Sequence, residues 1–365
     1  MAKILVVDDD PMSLMHLEYF LAQQGHEVVT AADGHQGVAA FEQIQPQLVL
    51  MDVMMPNMDG YTATGHIKSS SADRNQVPVL FLTGIADQTM LAHCLACGGD
   101  DFITKPFDNI ILKARIDAWL RRIELDNRVK ADRLKVEGVL LRMREDDRFD
   151  GRNLRYLMTP LEKTNGDIIL SARTPDGTQH TMVGDFTGHG LPAAIAGPLL
   201  SEIFYHDVAE GAPGQHILTH INQTLQKKLP TAMFLCATYL TIGPDRNSVQ
   251  LWNCGMPDLL IFDPDLTVHR LTSTHMPLGI MPQPFNQDSG RIHPLQPSQR
   301  LVVYSDGIVE TLNQHFEMYG VERLIAQWVQ IHQQHGDLTE ILTDLNRFRG
   351  TQQQTDDITL MELTP

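Results

Sequence analysis

Aspartates that follow short apolar runs are the residues of this chain best suited to chemistry. Asp8 and Asp9 come directly after the run ILVV, and Asp52 comes directly after LVLM. A carboxylate can accept a phosphoryl group when a divalent cation shields it and when hydroxyl and basic groups receive the incoming oxygens. Thr83 and Lys105 each follow a further apolar run and supply those two groups. Because three carboxylates in one pocket repel one another, we expect a bound Mg²⁺.

Four more aspartates lie farther along the chain, each beside a glycine or at the end of an apolar run: Asp167, Asp185, Asp306 and Asp356. Turns of this kind let backbone carbonyls approach a metal closely. No cysteine and no histidine pair stands at ligand spacing beside them, so the pattern predicts oxygen-ligated Mg²⁺ or Mn²⁺ rather than zinc. Two such ions, about 3.5–4 Å apart, would hold a phosphate and activate a water for in-line attack. His189, between two glycines, is either a general acid or a residue that only lets the turn fit around the metals.

Five apolar runs interleaved with helical patterns would position the first set of residues. The runs are residues 4–7, 27–30, 48–51, 79–82 and 102–103. Strands alternating with helices predict an α/β domain whose doubly wound, five-stranded parallel sheet is covered on both faces. In such sheets functional groups gather at the carboxyl ends of the strands, where the first three aspartates, Thr83 and Lys105 stand. We assign this domain to residues 1–122.

A change of composition follows that domain. Residues 110–148 are rich in Arg, Lys, Asp, Glu and Leu, without proline and with a single glycine, Gly138. A seam at alternating three- and four-residue steps runs through Ile116, Leu120, Ile123, Asn127, Lys130, Leu134, Glu137 and Leu141. The pattern indicates either a coiled coil, and hence a homodimer, or a solvated single helix. We assign residues 123–150 to a helical linker.

Residues 151–365 form the second globular domain. Strand-like runs are numerous, at residues 167–172, 180–183, 236–242, 249–252, 259–262, 300–304 and 358–363. Helical patterns are fewer, chiefly at residues 191–208, 213–228 and 320–335. Consecutive strands separated by turns predict antiparallel sheets with helices on the outside, an α+β arrangement.

Composition narrows the possible functions. The formal net charge is −17, from 28 basic and 45 acidic residues, which disfavours nucleic acid as a partner because such binding needs clustered Lys and Arg. Cys94 and Cys97 form a lone C-x-x-C among four cysteines, which gives neither a disulfide framework nor zinc spacing. With neither a signal peptide nor an apolar run of 18 residues in the sequence, we expect a cytoplasmic protein that does not cross a membrane.

The first domain resembles a known family. The segments ILVVDDDP, LVLMDVMMPNMDGY, VLFLTG and DFITKPF together resemble the receiver domain of two-component response regulators. The resemblance implies that a sensor histidine kinase or a phosphotransfer protein phosphorylates Asp52. It also implies that Thr83 and Lys105 bind the phosphoryl oxygens and that Phe102 is an aromatic switch. The Mg²⁺ ligands it implies are Asp9, Asp52 and the Met54 carbonyl, with Asp8 assisting. Gly84 departs from the family, which often has alanine there.

The second domain also resembles a family. The segments GDFTGHGLPAA, NCGMPDLL, MPLGI, VVYSDGIVE and TDDITLMEL resemble, in this order, the protein phosphatase 2C (PP2C) superfamily, in particular the bacterial branch that dephosphorylates anti-sigma-factor antagonists. The resemblance implies that Asp185 bridges two ions, Mn²⁺ or Mg²⁺. The other ligands it implies are Asp306 and Asp356 for one ion, and Asp167 and the Phe186 carbonyl for the other. Met256 stands where the family commonly has histidine, and we expect this position to face the substrate.

Together the two resemblances imply a response regulator whose output is a metal-dependent protein serine/threonine phosphatase. Phosphorylation of Asp52 would control hydrolysis of phosphoserine or phosphothreonine on a partner, and the implied partner is a phosphorylated anti-sigma-factor antagonist. The alternative is a non-catalytic binding or adaptor protein for a sigma-factor regulator. Release of phosphate in the presence of Mn²⁺ separates these two functions.

Overall fold

The computed structural model describes residues 1–69, 77–84, 97–144, 147–188, 190–282, 285–286 and 288–365. The chain divides into two compact units, Met1–Arg133 and Leu134–Pro365. Among the described residues, each unit has hydrophobic clusters of its own, two in the first unit and three in the second. No helix among the described residues is long and apolar enough to cross a membrane.

The first unit is built on a parallel sheet with the strand order β2-β1-β3-β4-β5. The strands are β1 (Lys3–Val7), β2 (Glu27–Ala31), β3 (Leu48–Asp52), β4 (Val79–Thr83) and β5 (Asp101–Thr104). The helices that the structure describes here are α1 (Pro11–Gln23), α2 (Gly34–Ile44), α3 (Gly60–Ser69) and the first part of α4 (Asn109–Arg144). The predicted five-stranded α/β sheet is therefore confirmed.

Apolar side chains cover both faces of this sheet. On one face Leu5, Val49 and Phe81 form a cluster with residues of α2 and α3. On the other face the alternate residues of the same strands pack against α1 and against Leu112 and Ile116 of α4. Because both faces are buried, β3 and β4 are buried at every position and carry the continuous apolar runs seen in the sequence.

Helix α4 continues beyond the first unit's core into the predicted linker. Ile116 is 1% exposed and Leu120 packs against the same cluster, so the first two positions of the predicted seam belong to that core. From residue 121 onward most side chains of α4 are exposed. The helix ends at Arg144, within the linker assigned to residues 123–150; the limits of the three predicted domains stay a prediction.

The second unit contains two sheets, with the orders β13-β10-β9-β8-β7 and β12-β11-β14-β15-β6. The strands are β6 (Leu154–Thr159), β7 (Asp167–Arg173), β8 (Gln179–Phe186), β9 (Leu235–Ile242), β10 (Ser248–Cys254), β11 (Leu259–Phe262), β12 (Val268–Leu271), β13 (Arg291–Pro294), β14 (Arg300–Tyr304) and β15 (Ile358–Leu363). Every pairing between them is antiparallel. The predicted α+β domain with antiparallel sheets is confirmed.

Helices lie outside these two sheets. They are α5 (Leu191–Ala194), α6 (Gly197–Ala209), α7 (Gly214–Lys228), α8 (Asp306–Val309), α9 (Gly320–Gln333) and α10 (Thr339–Arg349). One cluster contains residues of both sheets, such as Leu240 and Val303, so the sheets pack face to face. Separate clusters join α6 and α7 to the first sheet, and α9 and α10 to the second.

The structure differs from the predicted elements at several places. Strands β6, β12 and β13 lie at sheet edges and include exposed residues, so their sequences lack the apolar runs on which the prediction rested. The helix predicted over 191–208 is two helices, and Pro198 stands in the first turn of the second one, where its missing N–H costs no helical hydrogen bond.

Candidate functional site

The first site lies at the carboxyl ends of β1 and β3. These strands are neighbours, with Val7 opposite Met51, so the residues that follow come close together. Oxygens of Asp8, Asp9 and Asp52 lie within 4.8 Å of one another. In the part of the chain that the structure describes, this is the only group of three or more His, Cys, Asp or Glu residues that is so tight.

Lys105 bridges two of these carboxylates. Its Nζ lies 2.6 Å from Asp8 Oδ2 and 2.7 Å from Asp52 Oδ1, while Ser13 Oγ donates to Asp8 Oδ2 over 2.6 Å. Burial raises the pKa of Asp52, although Lys105 opposes the shift. Burial lowers the pKa of Lys105, but Asp52 and Asp8 outweigh it and the net direction is upward. Asp8 is fully buried, whereas Asp9 is exposed.

The other predicted residues of the first site surround this ion-pair cluster. Thr83 is the last residue of β4, and its carbonyl accepts the Lys105 N–H over 2.7 Å. Phe102 lies on the neighbouring β5, half-buried, with the Arg115 guanidinium 5.5 Å from its ring centre. Met54 follows β3 with its side chain 72% exposed, which leaves its carbonyl as the candidate ligand. Cys97 is half-buried, and Cys94 lies outside the described residues.

The second site begins with two strands that lie side by side. Asp167 opens β7 and stands directly opposite Asp185 on β8. Burial raises the pKa of Asp185, and three neighbouring carboxylates add to the shift and bring it to about 9: those of Asp167, Asp306 and Asp356. Burial also raises the pKa of Asp167 to about 7. The fold therefore holds four acids together against their mutual repulsion.

The other two acids come from the second sheet of the unit. Asp306 follows β14 and begins α8, and Asp356 precedes the neighbouring strand β15. A Cβ on Gly307 would lie 2.0 Å from the carbonyl oxygen of Asp357, so only glycine lets these two chain segments approach so closely. Asp306 Oδ1 is buried without a hydrogen-bond partner among the described residues. Burial raises the pKa of Asp306, with Glu310 adding to the shift.

Asp357 holds the loop that leads into β7. Its Oδ1 accepts the Leu161 N–H and its Oδ2 accepts the Gly166 N–H, both over 2.7 Å. A Cβ on Gly166 would lie 3.2 Å from the Phe186 carbonyl oxygen, which brings that candidate ligand next to the Asp167 loop. Asp357 is not among the predicted site residues, and its place beside Asp356 is the one indication in the sequence. His189 lies outside the described residues.

The donor set fits hard divalent cations. It consists of four buried or half-buried carboxylates and a backbone carbonyl, the ligands that Mg²⁺ and Mn²⁺ prefer. In a site built for cations, the carboxylates repel one another and keep unpaired oxygens until the cations bind. The unpartnered Oδ1 of Asp306 and the raised pKa of Asp185 are features of this kind. Cys236 stands opposite Asp185 on β9, but burial raises its pKa to about 12, so it remains a thiol and does not convert the site to a soft one.

The expectation for Met256 is wrong. Its side chain is 3% exposed and belongs to the cluster between the two sheets. Asn253 fixes the turn instead, because its Oδ1 accepts the Met256 N–H over 3.0 Å and its Nδ2 donates to the Pro257 carbonyl over 2.8 Å. The family's usual histidine is thus replaced by a core residue, and the change alters packing rather than a substrate contact.

Two family models match the chain. Residues 4–117 match the response regulator receiver domain, and residues 175–364 match stage II sporulation protein E. The chain is 42% identical over 122 residues to a probable transcriptional regulator, ycf27, of Cyanophora paradoxa, covering 33% of this chain and 49% of that protein. It is 33% identical over 141 residues to the alkaline phosphatase synthesis transcriptional regulatory protein PhoP of Bacillus subtilis, covering 38% and 58%. The chain thus spans about half the length of the curated relatives it matches.

A solved structure resembles the fold of the larger part of the chain. It is the SiaA-PP2C domain of Pseudomonas aeruginosa, with a TM-score of 0.55 and 19% identity, covering 66% of this chain and 98% of that one. At this identity the likeness concerns the fold alone. Together with the family match over more than half of the sequence, it leads to one conclusion. The chain belongs to the stage II sporulation protein E family and joins a response regulator receiver domain to a PP2C-like phosphatase domain.

Proposed function

We propose that phosphorylation of Asp52 controls a metal-dependent hydrolysis of phosphoserine or phosphothreonine on a partner protein. A sensor histidine kinase or a phosphotransfer protein would supply the phosphoryl group to Asp52. The observation that carries the phosphatase half of the proposal is the group of four acids around Asp185, where burial and the three neighbouring carboxylates together raise the pKa of Asp185 to about 9. Such a group is costly to fold unless cations compensate it.

Each acid has a role in this proposal. Asp185 would contact both cations because it lies between the Asp167 strand and the segments that carry Asp306 and Asp356. Asp306 and Asp356 would complete one coordination shell, and Asp167 with the Phe186 carbonyl the other. Bound cations would offset the negative charge of the phosphate. They would also lower the pKa of a bound water, which could then attack phosphorus as hydroxide at neutral pH.

The hydroxyl of Ser305, which directly precedes Asp306 in the sequence, is not free to act as a nucleophile. Ser305 Oγ accepts the Thr359 N–H over 2.9 Å and donates to the Asp357 carbonyl over 3.3 Å, and Ser305 is 1% exposed. This supports attack by water rather than by a side chain. In the receiver unit, the ammonium of Lys105 already spans Asp8 and Asp52, which suits it to bind an oxygen of a phosphoryl group on Asp52.

The partner and the cations are the finer parts of the proposal. The substrate class, a phosphorylated anti-sigma-factor antagonist, rests on the resemblance of residues 160–365 to the phosphatase branch that acts on such proteins. The oxygen donor set supports Mg²⁺ at the receiver site and two Mn²⁺ or Mg²⁺ at the phosphatase site.

The test is release of phosphate from a phosphoserine peptide by the full chain. We expect activity with Mn²⁺ and none with excess chelator. Asp185→Asn should lose most of it, on the order of 100-fold or more, because the shared ligand is weakened. Asp245→Asn, which changes an exposed acid in the turn after β9, should behave like wild type. Full activity of Asp185→Asn, or of wild type in chelator, would refute the mechanism.

A second measurement addresses Asp52. Incubation with acetyl phosphate should add a single phosphoryl group to the intact mass of the chain, and Asp52→Ala should abolish the addition. Labelling that persists in the variant would mean that another residue accepts the phosphoryl group. If wild type binds a sigma-factor regulator but releases no phosphate with either cation, the alternative of a non-catalytic binding or adaptor protein replaces the phosphatase.

A further inference from the structure

A cavity of about 530 Å³ lies between the second sheet of the phosphatase unit and α9. Its lining includes Arg155 of β6, Arg300 of β14 and His332 of α9. Glu362 of β15 stands directly opposite Arg155, six positions beyond Asp356 along the chain. At about 3.3 Å per residue of strand, this cavity lies about 20 Å from the aspartates, so it is a separate site.

The base of this cavity is a fixed, charged structure. The Glu362 side chain is 0% exposed; it accepts hydrogen bonds from Arg300 Nη1 over 2.7 Å and from Trp328 Nε1 over 3.0 Å. His332 Nε2 lies 2.8 Å from Glu362 Oε2, the oxygen that also accepts from Trp328. The Trp328 ring is stacked between those of Phe262 and His332, with ring centres 3.7 and 3.6 Å apart. Such packing preorganises the groups around the carboxylate.

More basic groups surround Glu362 than are needed to balance the charge of one carboxylate. Burial raises the pKa of Glu362, but His332, Arg300 and Arg155 outweigh burial and the net direction is downward. Arg300 uses only Nη1, for Glu362 and for Thr364 Oγ1 at 3.4 Å. Its Nε and Nη2 have no hydrogen-bond partner among the described residues. A guanidinium offers five N–H donors, so most of those on Arg300 remain available.

Arg155 is held even more loosely. Its Nη1 is 3.6 Å from Glu362, and its Nη2 is 3.3 Å from the Gly336 carbonyl and 3.6 Å from Asp337. These distances are long for charge-assisted hydrogen bonds, which are about 2.7–2.9 Å. The side chain is 41% exposed, so it can turn toward a ligand without unfolding anything.

The nearby acid on the cavity wall does not cancel these donors. Asp263 lines the cavity, but its two oxygens are already taken by His269 Nε2 at 2.8 Å and Gln299 Nε2 at 2.6 Å. Both oxygens of Asp263 therefore interact with these two partners rather than with Arg155 or Arg300. The exposed imidazole of His335 on the cavity rim adds a further donor.

Strained backbone surrounds the same cavity. Leu266, Ser298 and His335 all line it, and all have positive φ, of 68°, 69° and 55°. Positive φ is uncommon for residues other than glycine, and such conformations concentrate at ligand sites. Here they turn three connecting segments inward around one opening.

We propose that this cavity binds a compact oxyanion, the phosphate or carboxylate group of a small molecule, between Arg155 and Arg300. Planar guanidinium groups bind both anions through paired N–H···O bonds, which is the chemistry that the two anions share. The inference does not depend on catalysis by the aspartates, because it uses none of them.

Titration calorimetry on the full chain tests this site. Inorganic phosphate is titrated after the protein and buffer have been passed over a chelating resin, so that neither aspartate cluster holds a cation, with sodium chloride keeping the ionic strength constant. We expect saturable binding of one phosphate per chain, weakened roughly tenfold or more in Arg155→Gln through loss of one paired contact. Arg270→Gln is the matched control, because Arg270, on β12 of the same sheet, pairs with Glu322 of α9 and does not line the cavity. Succinate in a parallel titration tells which of the two anions binds more tightly.

A second variant protects the test against misfolding of the first. His335→Glu places a negative charge at the exposed rim and should also weaken binding, while circular dichroism confirms that the fold is kept. Absence of saturable binding for both phosphate and succinate would overturn the proposal. Equal affinity of wild type, Arg155→Gln and His335→Glu would overturn it as well.

Discussion

Asp357 is 2% exposed, and both oxygens of its carboxylate accept hydrogen bonds from the loop that precedes β7. Asp357→Ala removes both acceptors and leaves the Leu161 and Gly166 N–H groups buried without them. Each such loss costs about 1–3 kcal/mol. Because the loop ends at Asp167, we expect a lower free energy of unfolding and a higher half-saturating Mn²⁺ concentration for phosphate release.

Asp357→Asn provides the graded comparison for that prediction. It keeps one acceptor oxygen, so its denaturation midpoint and its half-saturating Mn²⁺ concentration should lie between those of wild type and Asp357→Ala. A variant that is destabilised but keeps the wild-type Mn²⁺ dependence would mean that Asp357 only stabilises the fold and does not position Asp167.

His180 carries a prediction about acid stability at a distance from the aspartates. It is 2% exposed, with Nδ1 2.9 Å from the Tyr239 hydroxyl. Burial lowers its pKa from 6.5 to about 4, although Asp176 opposes the shift. The folded protein therefore binds fewer protons than the unfolded chain between these values. Stability is fully present above pH 6.5 and falls by about 3 kcal/mol as the pH approaches 4.

Chemical denaturation at pH 7 and at pH 4.5 measures this effect. The comparison uses the unfolding transition that His180→Gln shifts. The free energy of unfolding in this transition should fall less between pH 7 and pH 4.5 in the variant than in wild type. Overall stability of the variant is lower, so only the difference between the two pH values counts. The same pH dependence in both proteins would contradict the assignment to His180.

Residues of the two sites differed in how visible they were in the sequence. Asp8, Asp52, Asp185 and Asp306 stand out because each follows an apolar run, and for Asp8 and Asp52 neighbouring strands of one sheet bring these ends together. The role of Asp357 could not be inferred, because its partners lie 196 and 191 positions away in the chain. The environment of Glu362 was hidden for the same reason.

At the scale of elements, two glycines predict opposite results for the same substitution. A Cβ on Gly307 would meet the Asp357 carbonyl oxygen at 2.0 Å, where α8 approaches β15, whereas a Cβ on Gly138 in α4 would meet nothing within 4 Å. Gly307→Ala should destabilise the phosphatase unit by about 1–3 kcal/mol or more and should reduce activity by displacing Asp306. Gly138→Ala should stabilise α4 by about 1 kcal/mol. Thermal unfolding of both variants checks the pair, and a shift in the same direction would refute it.

Element prediction succeeded where burial is two-sided and failed where it is not. The runs at 259–262, 300–304 and 358–363 coincide with strands Leu259–Phe262, Arg300–Tyr304 and Ile358–Leu363, because buried strands need continuous apolar residues. Strand β13 has the sequence RIHP and is largely exposed. Its pairing with β10 comes from tertiary position and leaves little trace in its composition.

At the scale of the whole molecule, α4 carries an exposed apolar stripe whose partner we propose to be a second copy of the chain. The stripe consists of Leu125, Val129, Val136, Val139 and Met143, which are 61%, 68%, 43%, 57% and 54% exposed. With Asp132 they repeat at alternating steps of three and four, the spacing of a coiled-coil seam. The stripe spans about 27 Å of helix. Large apolar side chains exposed in a row are a common mark of an interface.

This stripe differs from the seam predicted from the sequence. A helix turns by about 100° per residue, so Leu134 of the predicted seam lies on the face opposite Val136. Ile116 and Leu120 of that seam already pack in the core of the first unit, and Glu137 is 4% exposed. A second chain would therefore be expected to contact the other face. Apolar residues in the predicted seam reflect, at least at its start, the packing of α4 on the receiver sheet.

Val136→Glu and Leu134→Glu form a matched pair, two positions apart on the same exposed stretch of α4. We expect light scattering to find a dimer in wild type and in Leu134→Glu, and a monomer in Val136→Glu, because only the last buries a charge in the proposed interface. The monomer should keep basal Mn²⁺-dependent release of phosphate, since no residue of the aspartate cluster is touched. It should lose the change in rate that acetyl phosphate causes in wild type, because a signal from Asp52 would need a bistable interface to reach the second unit. A monomer only in Leu134→Glu would restore the seam predicted from the sequence. Wild type that is monomeric with and without acetyl phosphate would remove the dimer altogether and leave α4 a solvated single helix.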